Sequence, residues 1–134
     1  PAAAPAPQRT MGRTSFSNLG AAGFCTWAAY QKWFEASGNR YYPDLVGDAK
    51  DVPTDPRAKG WTVVAEPQPR SIVVFQPGVQ GAFLNGHMAW VDGVQDRRDG
   101  RYLSITEMNY NGGLNQWNRR MVKHVPGMEY ILMP

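Results

Sequence analysis

The segment SFSNLGAAGFCTWAAYQKWFEASGN, residues 15–39, contains the clearest helical pattern of the chain. Residues 28–36 lack helix breakers, and Gly38-Asn39 follows them as a stop signal. The aromatic side chains of this segment recur at helical spacing and therefore share one face: Trp27, Tyr30, Trp33 and Phe34. Because the residues before Cys25 are typical of a loop, the helix is predicted to begin at or near Cys25 and to bury its aromatic face in the core.

The chain beyond this helix is predicted to form mostly strands. Residues 41–60 contain three prolines and predict irregular structure with a short helical turn near residues 45–50. Six short runs then alternate as strands do: WTVVAE (61–66), SIVVFQ (71–76), HMAWVDGV (87–94), RYLSITEMN (101–109), RRMVKHV (119–125) and EYILM (129–133). The turn DRRDG at 96–100 predicts a hairpin. One helix followed by five or six short strands predicts an α+β fold with an antiparallel sheet.

Composition narrows the class of protein. The chain has 134 residues, 43% hydrophobic and 19% charged, which is typical of a globular domain with its own core. Its net charge of +3 is compatible with an anionic partner, but no block of Lys and Arg favours nucleic acid. No apolar run approaches the roughly 20 residues of a membrane helix, so no membrane partner is expected. The single cysteine, Cys25, excludes an internal disulfide and a zinc site built from paired cysteines.

The N-terminal residues differ in composition from the rest. PAAAPAPQR contains three prolines and lacks the apolar centre of a signal peptide. We predict that residues 1–13 are a Pro/Ala-rich linker or tail and that residues 14–134 form one monomeric domain. The linker is expected to connect this domain to other modules of a longer chain.

Cys25 and His87 are candidates for a nucleophile and a base. A thiol at a helix N-terminus faces free backbone N–H groups and the positive end of the helix dipole, which favour a thiolate. The alternative is an inert, buried cysteine. His87 opens a predicted strand, and the preceding Gly86 leaves space beside its ring. His124, the other histidine, is predicted to be structural.

Glu107 and Asn109 could complete the set. They are two positions apart in one predicted strand, so their side chains are expected on the same side of the sheet. If that strand pairs with the His87 strand through the DRRDG turn, either group could accept a hydrogen bond from the imidazole and fix its tautomer. The alternative is a solvated strand face followed by an Asn-Gly turn. The sequence leaves open whether Glu107 or Asn109 is the main orienting group.

Several of these stretches together resemble the CHAP domain, the cysteine- and histidine-dependent amidohydrolase/peptidase family of the papain-like NlpC/P60 group. The resemblance is carried by GFCTWAAY (23–30), PRSIVVF (69–75), NGHMAWVDGV (85–94), ITEMNYNGG (105–113) and EYILMP (129–134). It spans roughly residues 14–134. It implies a papain-like fold in which the N-terminal helix carries the cysteine and packs on the sheet. It also implies that Cys25 is the nucleophile, His87 the base and Glu107 the orienting group, with Asn109 as a fourth member or substitute.

The resemblance also implies an activity. CHAP domains cleave amide bonds of bacterial peptidoglycan, as N-acetylmuramoyl-L-alanine amidases or peptide-bridge endopeptidases, in phage endolysins, virion-associated lysins and secreted autolysins. A peptidoglycan hydrolase outside the cytoplasm, without a cofactor, is therefore expected. The alternatives are a catalytically degenerate cell-wall-binding module and a thiol amidase acting on a small amide. Some members carry an acidic calcium loop before the cysteine, but residues 10–23 contain no acidic residue, so no metal is expected there.

Further residues near these motifs are candidates for binding substrate. Gly23 is expected to leave clearance for substrate, and Tyr110 and Trp117 lie in a turn-rich segment suited to a groove. The candidate set is Gly23, Phe24, Gly86, Tyr110 and Trp117. Trp90 is expected on the opposite face of its strand from His87 and therefore outside the site.

Overall fold

The computed structural model describes residues 7–52, 54–110 and 113–134. Its helices are α1 (Cys25–Ala36) and the short α2 (Thr54–Ala58), with 3-10 turns at Ala49–Asp51 and Val79–Gly81. Its strands are β1 (Thr14–Ser15), β2 (Tyr42–Pro43), β3 (Thr62–Val64), β4 (Ser71–Phe75), β5 (His87–Arg97), β6 (Gly100–Met108), β7 (Trp117–Lys123) and β8 (Met128–Leu132).

The main sheet contains the six strands that the alternating patterns predict. Its strands follow the order β3-β8-β4-β5-β6-β7, and every neighbouring pair is antiparallel. The predicted α+β fold with a helix on an antiparallel sheet is confirmed. β5 and β6 form the hairpin predicted at DRRDG, with an irregularity in the register between Val91 and Gly93. A small two-stranded sheet of β1 and β2 was not predicted.

Helix α1 packs its apolar side on one face of the main sheet. Ala28, Ala29, Tyr30 and Trp33 are fully buried there. The Trp33 ring lies 6.2 Å from the Trp90 ring, so Trp90 belongs to the helix side of the sheet. This packing fixes the position of the helix start, and with it the position of Cys25.

The opposite face of the sheet carries a second apolar cluster. Its buried members are Val73, Phe75, Ala89, Val91, Leu103, Ile105, Val122, Met128, Tyr130 and Leu132. Because both faces are covered, β4 is buried along its whole length and its sequence is almost continuously apolar. The later part of β5, residues 92–97, is no longer buried, and its residues are exposed or half-buried.

Some predicted bounds of helices and strands differ from the observed ones. The helical turn predicted near residues 45–50 lies slightly later, in the 3-10 turn at Ala49–Asp51 and in α2. The prediction that the fourth strand extends to Asn109 was wrong, because β6 ends at Met108. The Asn-Gly pair at 111–112 lies outside the described residues. Within the described ranges, no helix is long and apolar enough to cross a membrane.

Four described residues of the predicted N-terminal linker are hydrogen-bonded to the domain, namely Gln8, Arg9, Thr10 and Arg13. The Arg9 guanidinium donates to the backbone carbonyls of Arg70 and Met133, at 2.7 and 2.8 Å. Thr10 Oγ1 donates to the Gly60 carbonyl at 2.7 Å. The boundary between linker and domain at residue 14 stays a prediction.

Candidate active site

A cavity of about 720 Å³ opens where the start of α1 meets the start of β5 and the end of β6. Cys25 and His87 both line it, although 62 residues of chain separate them. Other lining residues come from the end of β6, from β7 and from two loops: Asn109, Tyr110, Arg120, Asp48, Ala49, Gln80, Phe83 and Asn85. The tertiary structure therefore brings the predicted nucleophile and base to one concave site.

Cys25 is the first residue of α1. Phe24 precedes it in an extended conformation, with φ −99° and ψ 172°, and makes no side-chain capping bond. The first N–H groups of a helix have no partner within the helix and can bind an anion, and the first two residues of α1, Cys25 and Thr26, line the cavity. The Cys25 side chain is half-buried and forms no disulfide.

His87 is held between Cys25 and Glu107. Its Nε2–H donates to Glu107 Oε1 at 2.7 Å, and the Cys25 side chain is close enough to the imidazole to raise its pKa. Because Nε2 is occupied by the carboxylate, Nδ1 is the ring nitrogen available to the thiol. The thiol, the imidazole and the carboxylate thus lie next to one another, with His87 in the middle, and their roles as nucleophile, base and orienting group stay a prediction.

The pKa values of His87 and Glu107 are shifted in opposite directions. Burial lowers the pKa of His87, but the interactions with Cys25 and Glu107 outweigh it and raise the pKa to about 9. Burial raises the pKa of Glu107, but hydrogen bonds from His87, Arg120 and Asn118 lower it to about 2. Between these two values the imidazole is protonated and the carboxylate is ionised.

Asn109 does not share the position of Glu107. It follows the end of β6, takes a left-handed conformation with φ +57°, and donates its backbone N–H to the Gly113 carbonyl. The strict alternation that would place both side chains on one side of a strand therefore ends before Asn109. Glu107 contacts the imidazole, whereas Asn109 lines the cavity.

Three of the five substrate-binding candidates line the cavity, namely Phe24, Gly86 and Tyr110. Gly86 has φ +76°, and a side chain there would meet the Phe75 carbonyl and the Lys50 backbone. Glycine is therefore required at this position for close packing, whatever the ligand.

Gly23 and Trp117 lie elsewhere. Gly23 is buried with φ +84°, and a Cβ atom there would collide with the Asn115 side chain. The space on the Cβ side of Gly23 is filled by the loop that carries Asn115, and the expected clearance for substrate stays a prediction. Trp117 is half-exposed and lines a second hollow of about 470 Å³, with its ring 6.2 Å from that of Trp27.

Two polar residues of the site were missed by the sequence analysis. Asn118 and Arg120 both contact the Glu107 carboxylate from the neighbouring strand β7. Their separation by two positions in a strand is a signal that could have placed them on one face. Within the described residues, no group of three or more His, Cys, Asp and Glu side chains is arranged to hold a metal ion.

The other histidine has a partner outside the cavity. His124 Nδ1 lies 2.6 Å from the Tyr130 hydroxyl, and the two rings are 5.6 Å apart. Tyr130 belongs to the apolar cluster on the sheet face opposite α1, and this contact agrees with the structural role expected for His124.

The raised pKa of His87 predicts how stability depends on pH. In the unfolded chain the imidazole has its ordinary pKa near 6.5, whereas in the fold it is about 9. The resulting stabilisation is fully present below pH 6.5 and is lost as pH rises through about 9. We therefore expect the free energy of unfolding to fall by roughly 3 kcal/mol between about pH 6 and about pH 10, measured by urea denaturation.

His87→Gln is the control for this measurement, because glutamine does not titrate. The variant should lose most of the pH dependence in this range, whatever its absolute stability. An identical decrease in wild type and His87→Gln would contradict the prediction and assign the effect to other groups.

Comparison with known proteins identifies the family of this chain. The CHAP domain family model matches residues 16–109, and this chain belongs to the CHAP domain family. A comparison with curated proteins found no match.

Solved structures with the same fold include an N-acetylmuramoyl-L-alanine amidase from Staphylococcus aureus. It is 29% identical, with a TM-score of 0.67, over 82% of this chain and 30% of the amidase. The chain therefore spans less than a third of that protein. Ly7917 is 21% identical, with a TM-score of 0.57, over 82% of this chain and 53% of Ly7917. Ly7917 with the hydrolysing product of MDP aligns over 94% of this chain and 56% of that chain, and the likeness to Ly7917 shows the fold.

Proposed function

We propose that this chain is a peptidoglycan hydrolase that cleaves an amide bond by cysteine nucleophilic catalysis. The observation that carries the proposal is that Cys25 and His87 line one cavity, with the His87 imidazole hydrogen-bonded to the buried Glu107 carboxylate. Membership of the CHAP family and the likeness to a staphylococcal amidase support peptidoglycan as the substrate. Neither a degenerate wall-binding module nor an amidase for small amides is favoured by these observations.

The first half of the proposed reaction is acylation of Cys25. The thiolate sulfur attacks the amide carbonyl carbon, and the carbonyl oxygen becomes the anion of a tetrahedral intermediate. The backbone N–H of Cys25, at the start of α1, is placed to donate to that oxyanion. The His87 imidazolium then gives its proton to the leaving nitrogen, the C–N bond breaks, and a thioester remains on Cys25.

The second half is hydrolysis of the thioester. Neutral His87 takes a proton from a water molecule whose oxygen attacks the thioester carbonyl, and the C–S bond breaks. The products are a carboxylic acid and the Cys25 thiolate paired again with the imidazolium. Throughout, Glu107 accepts from Nε2 and keeps Nδ1 directed at Cys25, which is the role of the third member of a triad.

The remaining cavity residues are proposed to contact substrate. Phe24, Gly86, Asn109 and Tyr110 line the walls around Cys25 and are placed to flank a bound peptide. Trp117 lies outside this lining and has no part in the proposal. Both cleavage of the N-acetylmuramoyl-L-alanine bond and cleavage of a peptide bridge fit this cavity. We also propose that the domain acts outside the cytoplasm as one module of a longer protein.

The test is digestion of purified insoluble peptidoglycan, followed by mass spectrometry of the soluble fragments. The proposal expects solubilisation and one new amino group for each bond cut. New L-alanine N-termini would identify an amidase, and new termini within the bridge would identify an endopeptidase. No solubilisation by a folded protein that still binds peptidoglycan would overturn the proposal in favour of a wall-binding module. Hydrolysis of only a small amide such as a glutathione conjugate would overturn the substrate assignment.

A further inference from the structure

The carboxylate of Glu107 is buried and heavily hydrogen-bonded. The residue is 0% exposed, yet three neighbouring side chains donate to its two oxygens. Arg120 Nε donates to Oε2 at 2.6 Å and Arg120 Nη2 donates to Oε1 at 3.1 Å. Asn118 Nδ2 adds a bond to Oε2 at 2.8 Å. The carboxylate therefore has no freedom to rotate away from His87.

From this geometry we propose that Arg120 is a positioning residue of the active site. Its guanidinium fixes the plane of the Glu107 carboxylate, so that Oε1 stays in line with the N–H of His87. Asn118 supports the same orientation from the same strand. The inference rests on the proposed function only in so far as the oriented imidazole serves catalysis.

The shape of the guanidinium suits this task. Two N–H groups of one planar group meet two oxygens of one carboxylate, an arrangement that a lysine ammonium cannot reproduce. A buried carboxylate also needs a cation to remain ionised, because burial disfavours its charged form. Arg120 supplies both the charge and the direction.

Arg120 also connects the triad to the wall of the cavity. Its side chain is 20% exposed and lines the cavity, and its guanidinium lies 4.1 Å from the centre of the Tyr110 ring. This cation–π contact is a second interaction that holds the Arg120 guanidinium in place. A substrate that contacts Tyr110 would therefore also affect the position of the Arg120 guanidinium, which orients the Glu107 carboxylate.

The charged and titratable groups around Glu107 come from three elements. His87 approaches from β5, Arg120 approaches from β7 together with the neutral Asn118, and Cys25 reaches the network from α1 through the imidazole. Loss of Arg120 removes the one arginine in this set. Protonation of Glu107 should then occur at higher pH, and a protonated Glu107 no longer stabilises the imidazolium beside Cys25.

The test uses the rate at which iodoacetamide alkylates Cys25 as a function of pH. This readout needs no peptidoglycan, and Cys25 is the only cysteine that can react. For Arg120→Met we expect the acid limb of the profile to move up by about one pH unit or more. Arg120→Lys keeps the positive charge but loses the planar pair of N–H donors, so it should shift the acid limb less. Peptidoglycan solubilisation should fall roughly tenfold to 100-fold in Arg120→Met.

Arg101→Met is the matched control, because Arg101 also forms an ion pair, with Asp96 at 3.0 Å, far from the cavity. It should leave both readouts unchanged. If Arg120→Met does not fold, Asn118→Ala removes one donor and should shift the acid limb in the same direction by less. An unshifted profile in a folded Arg120→Met or Asn118→Ala would overturn the proposal. A shifted profile in a protein whose wild type does not digest peptidoglycan would uphold the positioning role and refute only the proposed function.

Discussion

Replacing Cys25 by alanine is expected to reduce peptidoglycan solubilisation by about 10⁴-fold or more, because removal of the nucleophile of a triad leaves only binding and oxyanion stabilisation. The fold should be retained, since Cys25 is half-buried at a helix start and alanine is a good helix former. Release of soluble fragments measures the first effect, and thermal unfolding measures the second.

Two comparisons sharpen this experiment. Cys25→Ser keeps the size of the side chain and should also be severely impaired, because a hydroxyl beside an imidazolium is a much weaker nucleophile than a thiolate. Alkylation of the wild-type protein can modify no other thiol and should inactivate it to the same extent. Solubilisation by Cys25→Ala at a rate close to that of wild type would exclude the thiol mechanism.

The second large effect is expected for Glu107→Gln. The amide keeps the shape but lacks the negative charge that stabilises the imidazolium and fixes its tautomer, so activity should fall by roughly 10³-fold. The pKa of His87 should drop below its wild-type value of about 9, because burial then acts with one fewer opposing hydrogen bond to a carboxylate. The alkaline limb of the pH–rate profile should move to lower pH accordingly.

Glu107→Gln should also cost stability. It leaves the Arg120 guanidinium beside a neutral group, and breaking a buried pair from one side costs about 3–5 kcal/mol. Glu129→Gln is the matched control, since Glu129 forms a more exposed ion pair with Arg57 at 2.7 Å. Such surface pairs contribute about 0–1 kcal/mol. Equal losses of stability in the two variants, or wild-type activity in Glu107→Gln, would contradict the role assigned to Glu107.

The elements of this fold were largely predictable because their patterns are local. The aromatic spacing within residues 27–34 identifies a helix face, and Gly38 ends the helix within a few residues of its observed end at Ala36. The apolar run at β4 identifies a buried strand in the same way. Asn109 shows the limit of such patterns, because the left-handed turn that ends β6 depends on a hydrogen bond to Gly113 and leaves no trace in the alternation.

Gly23 shows a different limit. A glycine beside a candidate nucleophile is compatible with room for a ligand and equally with close packing of another loop. The structure places Asn115, 92 residues later, against Gly23, with the Asn115 N–H donating to the Gly23 carbonyl. That contact fastens the turn before Cys25 to the segment leading into β7.

Residue type and spacing in the chain were sufficient to identify the helix that begins at Cys25, the strands of the main sheet, and His87 with two candidate partners, Glu107 and Asn109. The pairing of β7 with β6, in which Asn118 lies opposite Glu107, could be read only from the folded chain. That register brings Arg120 to the carboxylate and converts an ordinary polar strand into part of the site. The physical reason is that helical and strand periodicities arise within a few residues, whereas strand register arises from packing between segments distant in sequence.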